Sequence, residues 1–308
     1  MRLMARLCLS GSAENLNNQS KKYYMMNRRE FIRAGALSVA AASMLNDAFA
    51  FQGAYKNKMG LQLYSLRDSI FKDPKKILSD VASYGYKELE TFGYGAGKLF
   101  GLSVKEYGDH VKSLGMKTVS GHYGLDMLGD KWEQACADAA ALGQSYVVVP
   151  WMSKESYSSL SVLKKTCETM NKAAVTASKA GLRLGYHNHD FEFDKVEGQT
   201  ILDVMLKELD PKLVSIELDI FWVYNAGADP FKYFNAYPGR FEQWHVKDMS
   251  KTNKNENADV GTGAIDFKAI FAKAGQSGMK HFYVEQESYP VSPAESVKNS
   301  LINLNKII

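Results

Sequence analysis

The chain has 308 residues, 45% hydrophobic and 23% charged, with 24 Gly and 7 Pro, a profile that excludes a collagenous or disordered chain and allows a sizeable core. Its formal charge is +4, but residues 1–50 hold seven Lys/Arg against three Asp/Glu, so the remainder is formally neutral. That balance argues against a basic nucleic-acid-binding or membrane-surface protein.

In chain order the first feature is a leader. Asn27-Arg28-Arg29-Glu30-Phe31-Ile32-Arg33 resembles a twin-arginine export signal, and it precedes an apolar, small-residue stretch from Ala34 to Leu45 and the A-x-A sequence Ala48-Phe49-Ala50. The expectation is a leader over 1–50 and a folded domain over 51–308, exported to the periplasm; the alternative is an ordinary N-terminal amphipathic helix. Met25 or Met26 is an alternative start. The apolar run is shorter than the ~20 residues a membrane-spanning helix needs, so no stable span is expected after cleavage.

From Met59 onward short apolar runs alternate with amphipathic stretches, which is a βα pattern. Strands are predicted at 59–64, 86–92, 116–122, 145–150, 182–187, 213–219, 241–246 and 281–287. Helices are predicted at 74–84, 104–114, 131–142, 159–180, 200–209, 230–236, 266–274 and 293–306. Asp73, Asp229 and Ser292 each precede a proline as N-cap and first-turn pairs. Gly85, Gly115, Gly143 and Gly181 follow amphipathic runs, where a left-handed residue commonly ends a helix.

Eight such units in about 250 residues match an α/β fold of one (β/α)8 (TIM) barrel. A doubly wound sheet would carry a glycine-rich turn after the first strand, and Leu63 to Asp68 contains no glycine. Asn-rich Thr252 to Asn257, followed by Gly261-Thr262-Gly263, predicts a long mobile loop after the seventh strand, on the face where barrels keep their active sites. Cys136 and Cys167 fall in separate predicted helices and read as core thiols, while Cys8 lies in the leader.

Four of the later strand candidates end on a metal-binding side chain: His187, Asp219, His245 and Glu285. Singly, each reads as a loop cap or surface group. Together, two imidazoles and two carboxylates suit one divalent ion, Mn, Fe, Co or Zn, with Mg also considered. Period-two alternation puts His187 with His189, Glu217 with Asp219, and Glu285 with Glu287 on common faces. Unpaired buried carboxylates are expensive, and a bound cation is the usual offset.

The segments LQLYSLRD, GYKELETFG, GYHNHDFEF, ELDIFW, WHVKDM and YVEQE resemble those of the xylose-isomerase-like barrel family, the sugar-phosphate isomerases and epimerases and their relatives. The resemblance implies one metal held by His187, Asp219, His245 and Glu285, with His189 the competitor of His187. It also implies a sugar isomerase or epimerase that transfers a proton next to a carbonyl. The chain departs from the pattern at the fifth strand, where many epimerases carry a glutamate. Only Glu285 then matches their two proton-shuttling glutamates, and the second acid/base is sought by position among Glu90, His122, Lys247 and Glu287.

Gln62, Arg67, Trp151, His189 and Glu287 are the expected substrate contacts. Against these stand an Arg67–Asp68 structural pair, and rim packing for Trp151, Phe92 and Trp222. The expected partner is a small sugar or glycoside, with no nucleic acid and with homo-oligomerisation open. Other readings are a 3-keto-glycoside lyase or hydrolase, which export favours; a non-catalytic sugar-binding barrel; and, more weakly, a multi-metal endonuclease. His110 and His281 receive no role.

Overall fold

The strand and helix alternation builds eight parallel strands with helices outside them. The computed structural model describes Tyr55 and residues 58–308; the expected leader, with its signal-like segment and Cys8, lies outside the described residues. The strands are β1 (Met59–Gln62), β2 (Glu88–Thr91), β3 (Lys117–Gly121), β4 (Tyr146–Val149), β5 (Arg183–His187), β6 (Val214–Asp219), β7 (Gln243–Val246) and β8 (His281–Val284). Their order is β3-β2-β1-β8-β7-β6-β5-β4. A parallel bridge from His122 to Val148 joins the two ends, with Ser145 N donating to Val119 O and Tyr123 N to Val148 O, both at 2.8 Å. The result is a nearly closed barrel.

The outer helices are α1 (Pro74–Tyr84), α2 (Val104–Ser113), α3 (Trp132–Ala141), α4 (Leu160–Lys179), α5 (Ile201–Glu208), α6 (Pro230–Ala236), α7 (Phe267–Phe271) and α8 (Pro293–Ile307). Asp73, Asp229 and Ser292 accept backbone N–H bonds as N-caps, satisfying donors that the first turn leaves free. Ser103 and Glu106 add a reciprocal capping box at α2. The four predicted terminating glycines all have positive φ.

Three short helices were not expected: Arg67–Ile70, Ile220–Asn225 and Ala274–Ser277. β1 and β8 are shorter than predicted. β1 stops because the Gln62 side chain accepts from Tyr64 N at 3.0 Å and starts a 3-10 turn over Leu63–Leu66.

The main apolar core lies between the strands and the helices, and Cys136 and Cys167 are buried there as free thiols. Inside the barrel a separate cluster holds only Val119, Tyr146 and Val148. Much of the remaining interior is polar, with Gln62, Glu90, Glu217, Gln243 and His245 fully buried. Gly60 is required at its position: a Cβ there would stand 2.4 Å from Phe282 O and 2.5 Å from the Tyr283 ring.

The expected loop after β7 is exposed over residues 251–256, and its base is a stapled hairpin: Asp248–Met249 pairs antiparallel with Asn257–Ala258. Asp248 accepts from the backbone N–H groups of Met249, Gly261, Gly263 and Ile265 at 2.8–3.2 Å. Asn257 Oδ1 accepts from Glu287 N at 2.7 Å and so ties the hairpin to the chain after β8. No helix among the described residues is long and apolar enough to cross a membrane.

Candidate functional site

Parallel register brings the strand-end side chains together. Glu217 stands beside His187 on one side and Gln243 on the other, and Asp219 is level with His245. Asp219 is placed twice over: its N–H donates to Asn188 Oδ1 at 3.1 Å, and its Oδ1 caps the helix Ile220–Asn225 by accepting from Trp222 N at 3.2 Å. That leaves Asp219 Oδ2 buried without a hydrogen-bond partner among the described residues.

Two overlapping ligand sets result, His187, Asp219, His245 and Glu285, and His122, His187, Glu217 and His245, each offering one atom per residue within 4.8 Å of the others. The ring nitrogens separate them. His245 Nδ1 lies 2.9 Å from Glu285 Oε2 and 3.9 Å from Asp219 Oδ2, and His187 Nε2 lies 3.9 Å from Asp219 Oδ2. The opposite nitrogens face other carboxylates: His245 Nε2 is 2.6 Å from Glu90 Oε2 and 3.2 Å from Glu217 Oε2, and His187 Nδ1 is 3.3 Å from Glu217 Oε2. A histidine that ligates through one nitrogen while a carboxylate holds the other is the usual metal-site arrangement. This favours the first set as the ligands, with Glu90 hydrogen-bonded behind His245 and Glu217 near His187 Nδ1 without a hydrogen bond to it.

The electrostatics fit a cation. Burial pushes the Asp219 carboxyl up to about 7, against the pull of Lys247 and His245. Burial, then the charges of His245 and His189, hold His187 well below its ordinary value, which keeps it a neutral ligand. Burial alone would lower His245, but Glu217, Glu285 and Glu90 hold it well above its usual range. Burial also opposes a charged His122, yet Glu90 and Glu217 raise it to about 10. Glu285 stays ionised, because Lys247 and His245 overcome the effect of burial. An orphaned Asp219 oxygen in a nest of carboxylates therefore suits a divalent ion.

A cavity of about 520 Å³ opens over this cluster. Of the expected residues, His122, Trp151, His187, His189, Glu285 and Glu287 line it. Lys247 lies just behind, fully buried, paired with Glu287 and 3.4 Å from Glu285 Oε2. Its Nζ also lies 4.9 Å from the centre of the Trp222 ring, so Trp222 packs against the lysine.

Two expected contacts, Gln62 and Arg67, and the acid/base candidate Glu90 do not line the cavity. Gln62 is buried beneath it, donating to Glu90 Oε2 at 2.8 Å. Glu90 is itself buried behind His245, which sets it out of line with the cavity. Arg67 donates to Tyr289 OH at 2.9 Å, Glu287 O at 2.8 Å and Tyr64 O at 3.2 Å, so it ties β1 to the chain after β8 and does not pair with Asp68. His281 pairs with Glu88 at 2.6 Å, and His110 bonds Lys75 O at 3.0 Å. Glu217 was visible in the sequence only as a face-mate of Asp219; its central place follows from register across three strands.

A family profile described as "Xylose isomerase-like TIM barrel" matches residues 79–307. A solved structure described as a sugar phosphate isomerase/epimerase from Parabacteroides distasonis is 30% identical, with TM-score 0.72, over 81% of this chain and 94% of that one. The inosose dehydratase of Lactiplantibacillus plantarum is 22% identical over 265 residues, 74% of this chain and 87% of that protein. The IolI protein with a bound zinc atom is similar in fold, at TM-score 0.64 and 13% identity over 81% of this chain and 97% of that one.

Proposed function

The chain belongs to the xylose isomerase-like TIM barrel family, and from that premise we propose that it is a metal-dependent enzyme that ionises a C–H bond next to a carbonyl of a sugar or related polyol. The observation that carries this reading is that His187 and Glu285 belong both to the candidate metal set and to the cavity wall. A ligand in the cavity therefore reaches the metal position directly. A divalent ion held by His187, Asp219, His245 and Glu285 would act as a Lewis acid toward the substrate oxygens and stabilise the negative charge that develops on C–H ionisation. The mixed nitrogen and oxygen set suits Zn, Mn, Fe or Co, and IolI, a neighbour in fold, carries zinc.

The chain's own groups supply the proton chemistry. Glu285 is the carboxylate of the set that faces the cavity and takes the proton. His122 lines the same cavity, is hydrogen-bonded to Glu217 at 2.9 Å, and is the group placed to return or donate one. One carboxylate and one imidazole suit departure of the oxygen on the next carbon, as in a dehydration or a glycoside cleavage, better than the paired-glutamate exchange of epimerases. The inosose dehydratase relative supports that completion. The Parabacteroides structure's description favours the second reading, reprotonation to an isomer or epimer.

The experiment is incubation of the metal-loaded protein with ketoses, keto-cyclitols and 3-keto-glycosides in deuterated water. Nuclear magnetic resonance reads exchange of the carbon-bound hydrogen, and ultraviolet absorbance reads an enone product. Exchange with enone supports elimination, and exchange without it supports isomerisation. No exchange across the panel would remove the proposal.

A further inference from the structure

The cavity wall is divided. One arc, from β5 and β8, carries His187, His189, Glu285 and Glu287; the other, following β1, β2 and β4, carries Tyr64, Phe92 and Trp151. Phe92 is fixed from three sides, by Tyr64 at 5.1 Å, Phe71 at 5.7 Å and Phe100 at 5.2 Å between ring centres. Trp151, by contrast, is 52% exposed and makes no ring contact among the described residues. An indole held open on a cavity wall is an unfilled stacking surface, since its apolar face gains by covering another ring.

Charge points the same way. Among the described residues lining the cavity, Asp126, Glu285 and Glu287 are acidic and none is Lys or Arg. The nearby cations are engaged: Lys247 with Glu287 and Glu285, and Arg67 with Tyr289 OH and two backbone carbonyls. A phosphate at the aromatic end would meet Asp126, and the one cationic side chain on the wall, His122, is already held between Glu217 at 2.9 Å and Glu90 at 3.3 Å, which is the reverse of an ordinary phosphate site.

We propose that the Trp151 arc is a subsite for the second ring of a glycoside, so that the protein takes uncharged sugars bearing a ring substituent in preference to sugar phosphates. This deepens the proposed function and rests on it for the location of the reacting end. A volume of about 520 Å³ suits such a two-ring ligand, lying within the ~300–1,000 Å³ of sites for drug-sized molecules.

The test is calorimetric binding of phenyl β-glucoside, cellobiose, glucose and glucose 6-phosphate to the metal-loaded full chain. Phenyl glucoside and cellobiose are expected to bind at least tenfold more tightly than glucose or glucose 6-phosphate. Trp151→Ala should abolish that preference and Trp151→Phe retain most of it. If Trp151→Ala fails to fold, Trp151→Gln, which keeps bulk without a ring face, replaces it. Tighter binding of glucose 6-phosphate, a preference that survives loss of the indole, or no binding of the two-ring probes would each overturn the subsite. Deuterium exchange on keto sugars without a ring preference would sink the subsite and leave the proposed reaction standing. A Trp151-dependent preference without exchange would do the opposite.

Discussion

His245 Nε2 lies 2.6 Å from Glu90 Oε2, so a side chain at the end of β7 is held across the barrel interior by one at the end of β2. Gln62 donates to the same oxygen at 2.8 Å and fixes the carboxylate in turn. The contact aims His245 Nδ1 at Asp219 and Glu285. Loss of a carboxylate behind a ligating histidine typically lowers metal affinity roughly 10–100-fold. We expect Glu90→Ala to fall in that range and Glu90→Gln, which still accepts one hydrogen bond, to fall less. Competition with a chelating dye measures both, and unchanged affinity in the alanine variant would deny Glu90 its positioning role.

His187 ends β5 and His189 lies in the turn beyond it, so the two rings meet different neighbours. His187 is 3% exposed and points at Asp219, whereas the His189 ring stacks on Phe191 at 6.1 Å and lies 5.5 Å from Trp222. We expect His187→Ala and Asp219→Ala each to lose stoichiometric metal, while His189→Ala keeps it. Mass-spectrometric metal analysis after dialysis decides; metal lost from the His189 variant and kept by the His187 variant would exchange their assignments.

Asp219 also links metal to stability. A ligand that binds only the folded state adds about 2.7 kcal/mol at 100 times its Kd, and in a domain of this size that raises Tm by roughly 5–10 °C. Chelation should therefore lower the Tm of the wild type by about that amount. Asp219→Asn keeps an oxygen for the Trp222 N–H but removes a carboxylate that burial disfavours. The chelated variant should melt no lower than the chelated wild type, and added metal should no longer raise its Tm. Calorimetric scans with and without chelator check both halves.

The barrel was legible because its cues are local. Proline after Asp73, Asp229 or Ser292 marks a helix start, and the runs ending at His187, Asp219 and His245 mark the strand ends that hold the cluster. Side-chain destinations that depend on the turn beyond a strand were not legible. Gln62 and Arg67 look alike as substrate contacts until the 3-10 turn after β1 sends one beneath the site and the other toward Tyr289. Nor does the segment WHVKDM reveal that the hairpin folds four N–H groups onto Asp248. Glu217 is central only because three strands pair in one register, and a single segment does not encode that.

Glu192 sets a pH dependence away from the metal ligands. It is fully buried, accepting from Tyr186 OH at 2.6 Å and from His189 N at 2.7 Å. Burial outweighs both bonds and pushes its carboxyl up to about 8, from an unfolded value of about 4.3. The folded state thus holds the proton more tightly than the unfolded chain. Its contribution to stability is complete below about pH 4 and declines as pH rises toward 8, by up to about 1.4 kcal/mol per unit. Glu192→Gln keeps the shape without the titration, so its stability relative to wild type should increase from pH 5 to pH 8. Urea unfolding at pH 5, 6.5 and 8 measures the difference. Parallel curves for the two proteins would mean that the Tyr186 and His189 hydrogen bonds suffice to keep the buried carboxylate ionised.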